Sequence, residues 1–153
     1  MSLRNKIDED YKQSIKNKDQ QKVDTLRLIR SAIKDKDIST RTSENKEGIN
    51  DVEILSLLIN LIKQRKDSIE QFQKAKRDDL IKNEQSEIKI INEYLPQQKT
   101  QEEIEKIINE IITTNNLESI KDMGKLMSII KNDYAGEADM GLVGKIAKSK
   151  LVN

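Results

Sequence analysis

Apolar residues recur at three- and four-residue spacing along nearly the whole chain, and this pattern predicts helices throughout. Leu3, Ile7, Tyr11 and Ile15 lie four apart in a first helix starting at Ser2, a stripe that drifts slowly around the cylinder. Residues 17–19 break the pattern. A second helix capped by Asp19 places Val23, Leu26, Ile29 and Ile33 on one side and ends near Asp37, with Arg27, Arg30 and Lys34 on its other side. Residues 39–48 are polar and without apolar period, which predicts a mobile loop. Asn50 and Glu53 then form a capping box for the longest apolar stripe, from Ile54, Leu55 and Leu58 to Ile69 and Phe72. A helix of about 24 residues is roughly 36 Å long. Its stripe narrows after Lys63, so Lys63-Gln64-Arg65-Lys66 turns partly to water. Asp78 is placed to cap a fourth helix carrying Leu80, Ile88, Ile91 and Leu95, antiparallel to the third.

Pro96, the only proline, marks a boundary. Beyond it Thr100 and Glu103 form a second capping box, opening a seam of Ile104, Ile107, Ile108, Ile111 and Ile112 that ends at Asn115-Asn116. One short phrase then occurs twice, Asp122-Met123-Gly124 and Asp139-Met140-Gly141. Apolar positions at helical spacing follow each: Leu126, Met127 and Ile130, then Val143, Ile146 and Ala147. Each phrase reads as a helix start, with Asp capping, Met facing the core and Gly leaving the first turn bare. The resulting expectation is an all-α chain: a helical N-terminal unit of about four helices over residues 1–95 and a small three-helix C-terminal unit over residues 97–153.

Composition supports exposed amphipathic helices over sheets: 35% hydrophobic, 36% charged, 3% aromatic and 5 glycines. The formal net charge is only +1, so a polyanion partner would be held by a local patch. Zero Cys and zero His exclude thiolate nucleophiles, Cys-ligated metals and the commonest general base. No phosphate-cradling glycine loop of the P-loop or dinucleotide type occurs. The reading therefore names no catalytic residue, metal or cofactor. With no apolar leader and no membrane-length run, a cytoplasmic protein without a membrane partner is expected.

Glycine inside a helix costs about 1 kcal/mol against Ala, so Gly124 and Gly141 need a reason. Two remain open. Either each lets one helix backbone approach another, or each leaves the positive end of a helix reachable by a phosphate, with Lys125, Lys121 or Lys145 supplying charge. From residue 121 onward six lysines face Asp122, Asp133, Glu137 and Asp139, a net of +2. The row Arg27, Arg30 and Lys34 has the same two options, a solvated face or a phosphate-facing track.

Met123-Gly124-Lys125-Leu126-Met127, followed by Gly136-Glu137-Ala138-Asp139-Met140-Gly141-Leu142-Val143, resembles the signature tail of the GatB/YqeY domain family. The likeness continues upstream through Thr25-Leu26-Arg27, Ser31-Ala32-Ile33, Lys63-Gln64-Arg65-Lys66-Asp67-Ser68, Ala75, Arg77, Leu80 and Tyr94-Leu95-Pro96. Its length resembles the free-standing YqeY type, related to the C-terminal tail of the tRNA amidotransferase B subunit. Two residues depart from the family pattern: Glu137 stands where Arg is usual, and Lys76 where Gly is usual.

The resemblance implies a non-catalytic tRNA-binding protein, or an accessory of a tRNA-modifying or aminoacylation enzyme. The family is associated with carbon–nitrogen ligase activity using glutamine as amido donor. The proposed tRNA contacts are Gly124, Lys125, Gly136, Gly141, Lys121 and Lys145, extended by Arg27, Arg30, Lys63, Arg65 and Lys66. The alternative is a protein-interaction adaptor, docking through its Met-rich tail and binding no RNA.

Overall fold

Short polar side chains start most of the helices. Ser2 accepts the Asn5 backbone N–H, Asp19 that of Lys22 and Asn50 that of Glu53, each satisfying a donor the first turn leaves free. Thr100 and Glu103 make the full reciprocal box, at 3.2 and 3.1 Å. In the computed structural model, which describes residues 2–43 and 46–152, these caps open α1 (Leu3–Lys16), α2 (Gln20–Thr40), α3 (Asp51–Lys74) and α5 (Gln101–Asn115). The remaining helices are α4 (Asp78–Asn92), α6 (Met123–Asp133) and α7 (Met140–Lys150), with a 3-10 turn over Ile120–Asp122. The described residues contain seven α-helices and no strand, an all-α architecture.

Several local expectations are corrected. Asp78 does not cap α4: Arg77 occupies that position without a side-chain cap bond, and Asp78 and Asp79 sit in the first turn, where carboxylates favour the helix dipole. At α3 only the Asn50 half of the box forms. Helix α2 runs to Thr40, so Ser39 and Thr40 belong to it; their hydroxyls donate back to the Lys36 carbonyl. Of the polar stretch expected as a loop, residues 41–43 and 46–48 carry no regular structure, and residues 44 and 45 lie outside the described residues. Ile15 is 49% exposed. Steps of four advance by 40° each around a helix with 3.6 residues per turn, which carries Ile15 off the face that Ile7 buries; Ser14 takes the inner place and donates to the Tyr11 carbonyl.

Three helices end alike. Lys18, Lys76 and Asn116 lie in the left-handed region at φ 55, 57 and 53°. The next N–H folds back five residues, from Asp19 to Ser14, Arg77 to Phe72 and Leu117 to Ile112. Left-handed backbone favours Gly or Asn, so the two lysines are strained where Asn116 is at ease. Lys76 thus stands in a place where the family's usual Gly has a physical reason.

The chain divides into two compact units, Met1–Leu95 and Pro96–Asn153. In the first, Ile7, Leu26, Ile29, Ile54, Leu58 and Ile91 are fully buried, each contributing about 1.5–3 kcal/mol by leaving water. Polar ties fix the geometry around this core. Arg4 grips Asp37 with two hydrogen bonds, at 2.7 and 2.9 Å, and donates to the Ile49 carbonyl, while Asp37 accepts the Ile49 N–H. Gly48 closes this clasp at φ 90°; a Cβ there would run into the Asp37 carboxylate and the Arg4 guanidinium. Tyr94 donates to Asp10 at 2.6 Å. In the second unit, Ile104 and Ile108 of α5, Leu126 and Ile130 of α6, and Val143 and Ala147 of α7 share one core.

Candidate anion-binding surfaces

In the first unit, α1 and α2 enclose a cleft of about 390 Å³ lined by Arg4, Asp8, Arg27, Arg30, Ser31, Ile33, Lys34 and Asp37. Helical spacing explains why four of these meet: residues 27, 30, 31 and 34 stand three, four and seven apart on one face of α2. Arg30 donates to Asp8 at 2.8 Å and its guanidinium stacks 4.3 Å from the centre of the Tyr11 ring. Arg27 reaches the Tyr11 hydroxyl at 3.5 Å and lies 3.8 Å from Asp24. At the neighbouring clasp, the Arg4 hydrogen bonds hold the Asp37 carboxyl below the usual carboxylate range, and Asp37 in turn raises the Arg4 guanidinium.

The α3 cluster divides. Lys63 and Lys66 are exposed, whereas Arg65 is 8% exposed. Its guanidinium donates to Glu87 of α4 at 2.7 Å and to the Leu61 carbonyl at 2.9 Å. Arg65 therefore presents no outward charge, contrary to its expected place in a surface track. Burial pushes the nearby Glu84 carboxyl up. The sequence signal for this pair was the acidic residue on α4 facing a cation on α3, legible only once the antiparallel register is known.

In the second unit the two Asp-Met-Gly phrases behave differently. Asp139 caps α7, accepting the Gly141 N–H at 2.9 Å. Asp122 makes no cap bond on α6. It closes the preceding 3-10 turn, accepting the N–H groups of Glu118 and Ser119 at 2.8 and 3.2 Å in a capping box with Ser119. Those backbone bonds hold the Asp122 carboxyl below the usual range. The 3-10 turn runs directly into α6, so the expectation of two bare helix starts holds for one phrase only.

The glycines separate in the same way. Gly124 is exposed and a Cβ on it would meet nothing within 4 Å, which removes close helix approach as its reason. Gly136 is buried at φ 75° in the turn before α7, and its carbonyl accepts Gln98 Nε2. Glu137 is engaged twice: its carbonyl accepts the Lys99 N–H at 2.7 Å and its carboxylate lies 3.6 Å from Lys99 Nζ. The acidic departure from the family pattern is therefore paired within the unit. Lys121, Lys125 and Lys145 are exposed, and Gly141 shares a face of α7 with Lys145, four residues on.

Among the described residues no group of three or more His, Cys, Asp or Glu could hold a metal, and no helix is long and apolar enough to cross a membrane. Exposed cations occur on α2, on α3, and on α6 and α7, as on the other helices. The sequence model of the Yqey-like protein family matches residues 4–151, and the chain belongs to that family.

Curated relatives include proteins of three yeasts. The protein named "Altered inheritance of mitochondria protein 41, mitochondrial" of Lachancea thermotolerans is 34% identical over 88% of this chain and 74% of its own length. Its counterpart in Kluyveromyces lactis is 34% identical over 70% of the chain and 57% of its own length. That of Saccharomyces cerevisiae is 35% identical over 63% and 50%. The chain thus spans little more than half of the second relative and half of the third. All three are named as mitochondrial, which overturns the expectation of a cytoplasmic protein.

Proposed function

We propose that this chain is a non-catalytic tRNA-binding protein, or an accessory of a tRNA-modifying or aminoacylation enzyme, with its contact surface on the exposed sides of α6 and α7. One observation carries the reading: three acids of that segment are occupied internally, while its lysines point outward. Asp122 and Asp139 hold backbone N–H groups and Glu137 faces Lys99, whereas Lys121, Lys125, Lys145 and Lys148 are exposed. The open space at Gly124 leaves the first turn of α6 reachable beside Lys125. Contacts of this kind read phosphates and shape, with little base specificity. The relatives' names point to a mitochondrial setting in place of a cytoplasmic one. The alternative is a protein-interaction adaptor; Met123, Met127 and Met140 are partly buried against the core of their own unit, so each leaves only part of its side chain for a partner.

The test is fluorescence anisotropy of labelled total tRNA against the full chain at low and physiological salt. Saturable binding that weakens with salt as expected for about two to four released phosphate contacts supports the reading. Lys125→Ala with Lys145→Ala should then weaken binding without loss of helix content. Absence of binding at low salt overturns it.

A further inference from the structure

The α1–α2 cleft carries more positive charge than its own acids use. Two acids line it, and each is matched: Asp37 by the two-bonded Arg4, and Asp8 by Arg30 at 2.8 Å. Arg27 and Lys34 are left over. The contacts of Arg27 are long, 3.5 Å to the Tyr11 hydroxyl and 3.8 Å to Asp24, which lies outside the cleft lining. Lys34 makes no ion pair or hydrogen bond among the described residues. An excess of two charges in one cleft is matched by a dianion.

The donors are also aimed. Arg30 gives its Nε–H to Asp8 and stacks on Tyr11, so its two terminal Nη groups are the donors that remain, held in plane by the ring. Tyr11 also lies within 3.5 Å of Arg27 Nε, a long contact that a ligand can displace, so the ring orients Arg30 and leaves Arg27 available. Ser31 adds a hydroxyl to the lining from the same face of α2. The volume, about 390 Å³, lies within the range of small-ligand sites. Ile33 is the one apolar residue in the lining and is itself buried, so an apolar ligand would find little to cover.

We propose that this cleft binds a phosphate monoester, its dianion held by Arg27, Arg30 and Lys34 with Ser31 as a neutral donor. A monoester carries about −1.5 to −2 at pH 7, against −1 for the diester links of a nucleic-acid chain, so the charge excess selects chain ends over chain interiors. Two sources offer that chemistry, the 5′-terminal phosphate of an RNA and a free nucleoside monophosphate. The site deepens the tRNA reading and rests on it only for the first source.

The test titrates the full chain with one short RNA prepared with a 5′-phosphate and with a 5′-hydroxyl, and separately with adenosine 5′-monophosphate. The 5′-phosphorylated RNA should bind about threefold tighter or better, the increment of an exposed ion pair. The preference should vanish in Arg27→Ala/Lys34→Ala, whose residues are exposed and whose helix content and Tm should match the parent. Binding of adenosine 5′-monophosphate without an RNA preference, lost in the same variant, assigns the free monophosphate as source. Equal affinity for both RNAs together with no binding of the mononucleotide overturns the site, as does a preference that survives in the variant. Tight total-tRNA binding without any monoester effect would sink the cleft and leave the α6–α7 surface standing; mononucleotide binding without tRNA binding would do the reverse.

Discussion

The two Asp-Met-Gly phrases are identical in three letters and opposite in use. Asp139 points forward and caps the helix that follows it, whereas Asp122 points backward and closes the turn that precedes it. The difference lies three residues upstream. Ser119 stands before Asp122 and makes Ser-x-x-Asp, a capping box in its own right; Gly136 stands before Asp139 and turns the chain at φ 75°, and the aspartate faces α7. A repeated motif thus carries its meaning in the residues that lead into it.

The comparison can be broken most severely at Gly136. Gly136→Ala puts a side chain on buried left-handed backbone and should cost about 2 kcal/mol, read as a lower urea midpoint. Gly124→Ala, inside the first phrase, should not. Next comes Asp122→Ala, which removes the acceptor of both the Glu118 and Ser119 N–H groups and should lower the Tm, as should Asp139→Ala, whose cap bond to Gly141 is worth about 1 kcal/mol. The Asp122 effect is also tied to pH. Its folded-state pKa is lowered, so its contribution is present above the ordinary value of 3.8 and is lost as pH falls through the folded one. The Tm gap between parent and Asp122→Ala should therefore be widest at neutral pH and close in acid; a gap that stays constant would refute the backward-facing role.

Smaller effects sharpen the contrast between glycines. Gly124→Ala should stabilise by about 0.5–1 kcal/mol, since helical backbone gains a better residue and the Cβ enters open space. If the proposed tRNA surface is right, the same change weakens RNA binding, an opposition that a merely structural glycine would not produce. Lys76→Gly is the mirror case, a glycine restored where φ is 57°, with a gain of about 0.5–1 kcal/mol by thermal unfolding.

Most of the helices were legible because caps and apolar period agree: Ser2, Asp19, Asn50 and Thr100 each cap where the pattern begins, and the buried positions of α5 and α7 are those the spacing marks. What escaped depends on residues distant in sequence. Arg65 reads as a surface cation until Glu87, 22 residues on, is brought beside it. Ile15 falls in the stripe by spacing, but the drift of that stripe turns it outward and Ser14 inward. The charge row 27, 30, 34 was visible as a row, but its excess appears only when Asp8 and Asp37 are seen to be matched by Arg30 and Arg4.

The bond from Tyr94 to Asp10 spans 84 residues and sets a clock. A ribosome adds about 5–20 residues per second, so Asp10 is made roughly 4–17 s before the tyrosine it accepts from. During that interval Asp10 can still hold Lys6, one turn earlier on the same helix at 3.4 Å, so the carboxylate has a local partner in hand before its distant one arrives.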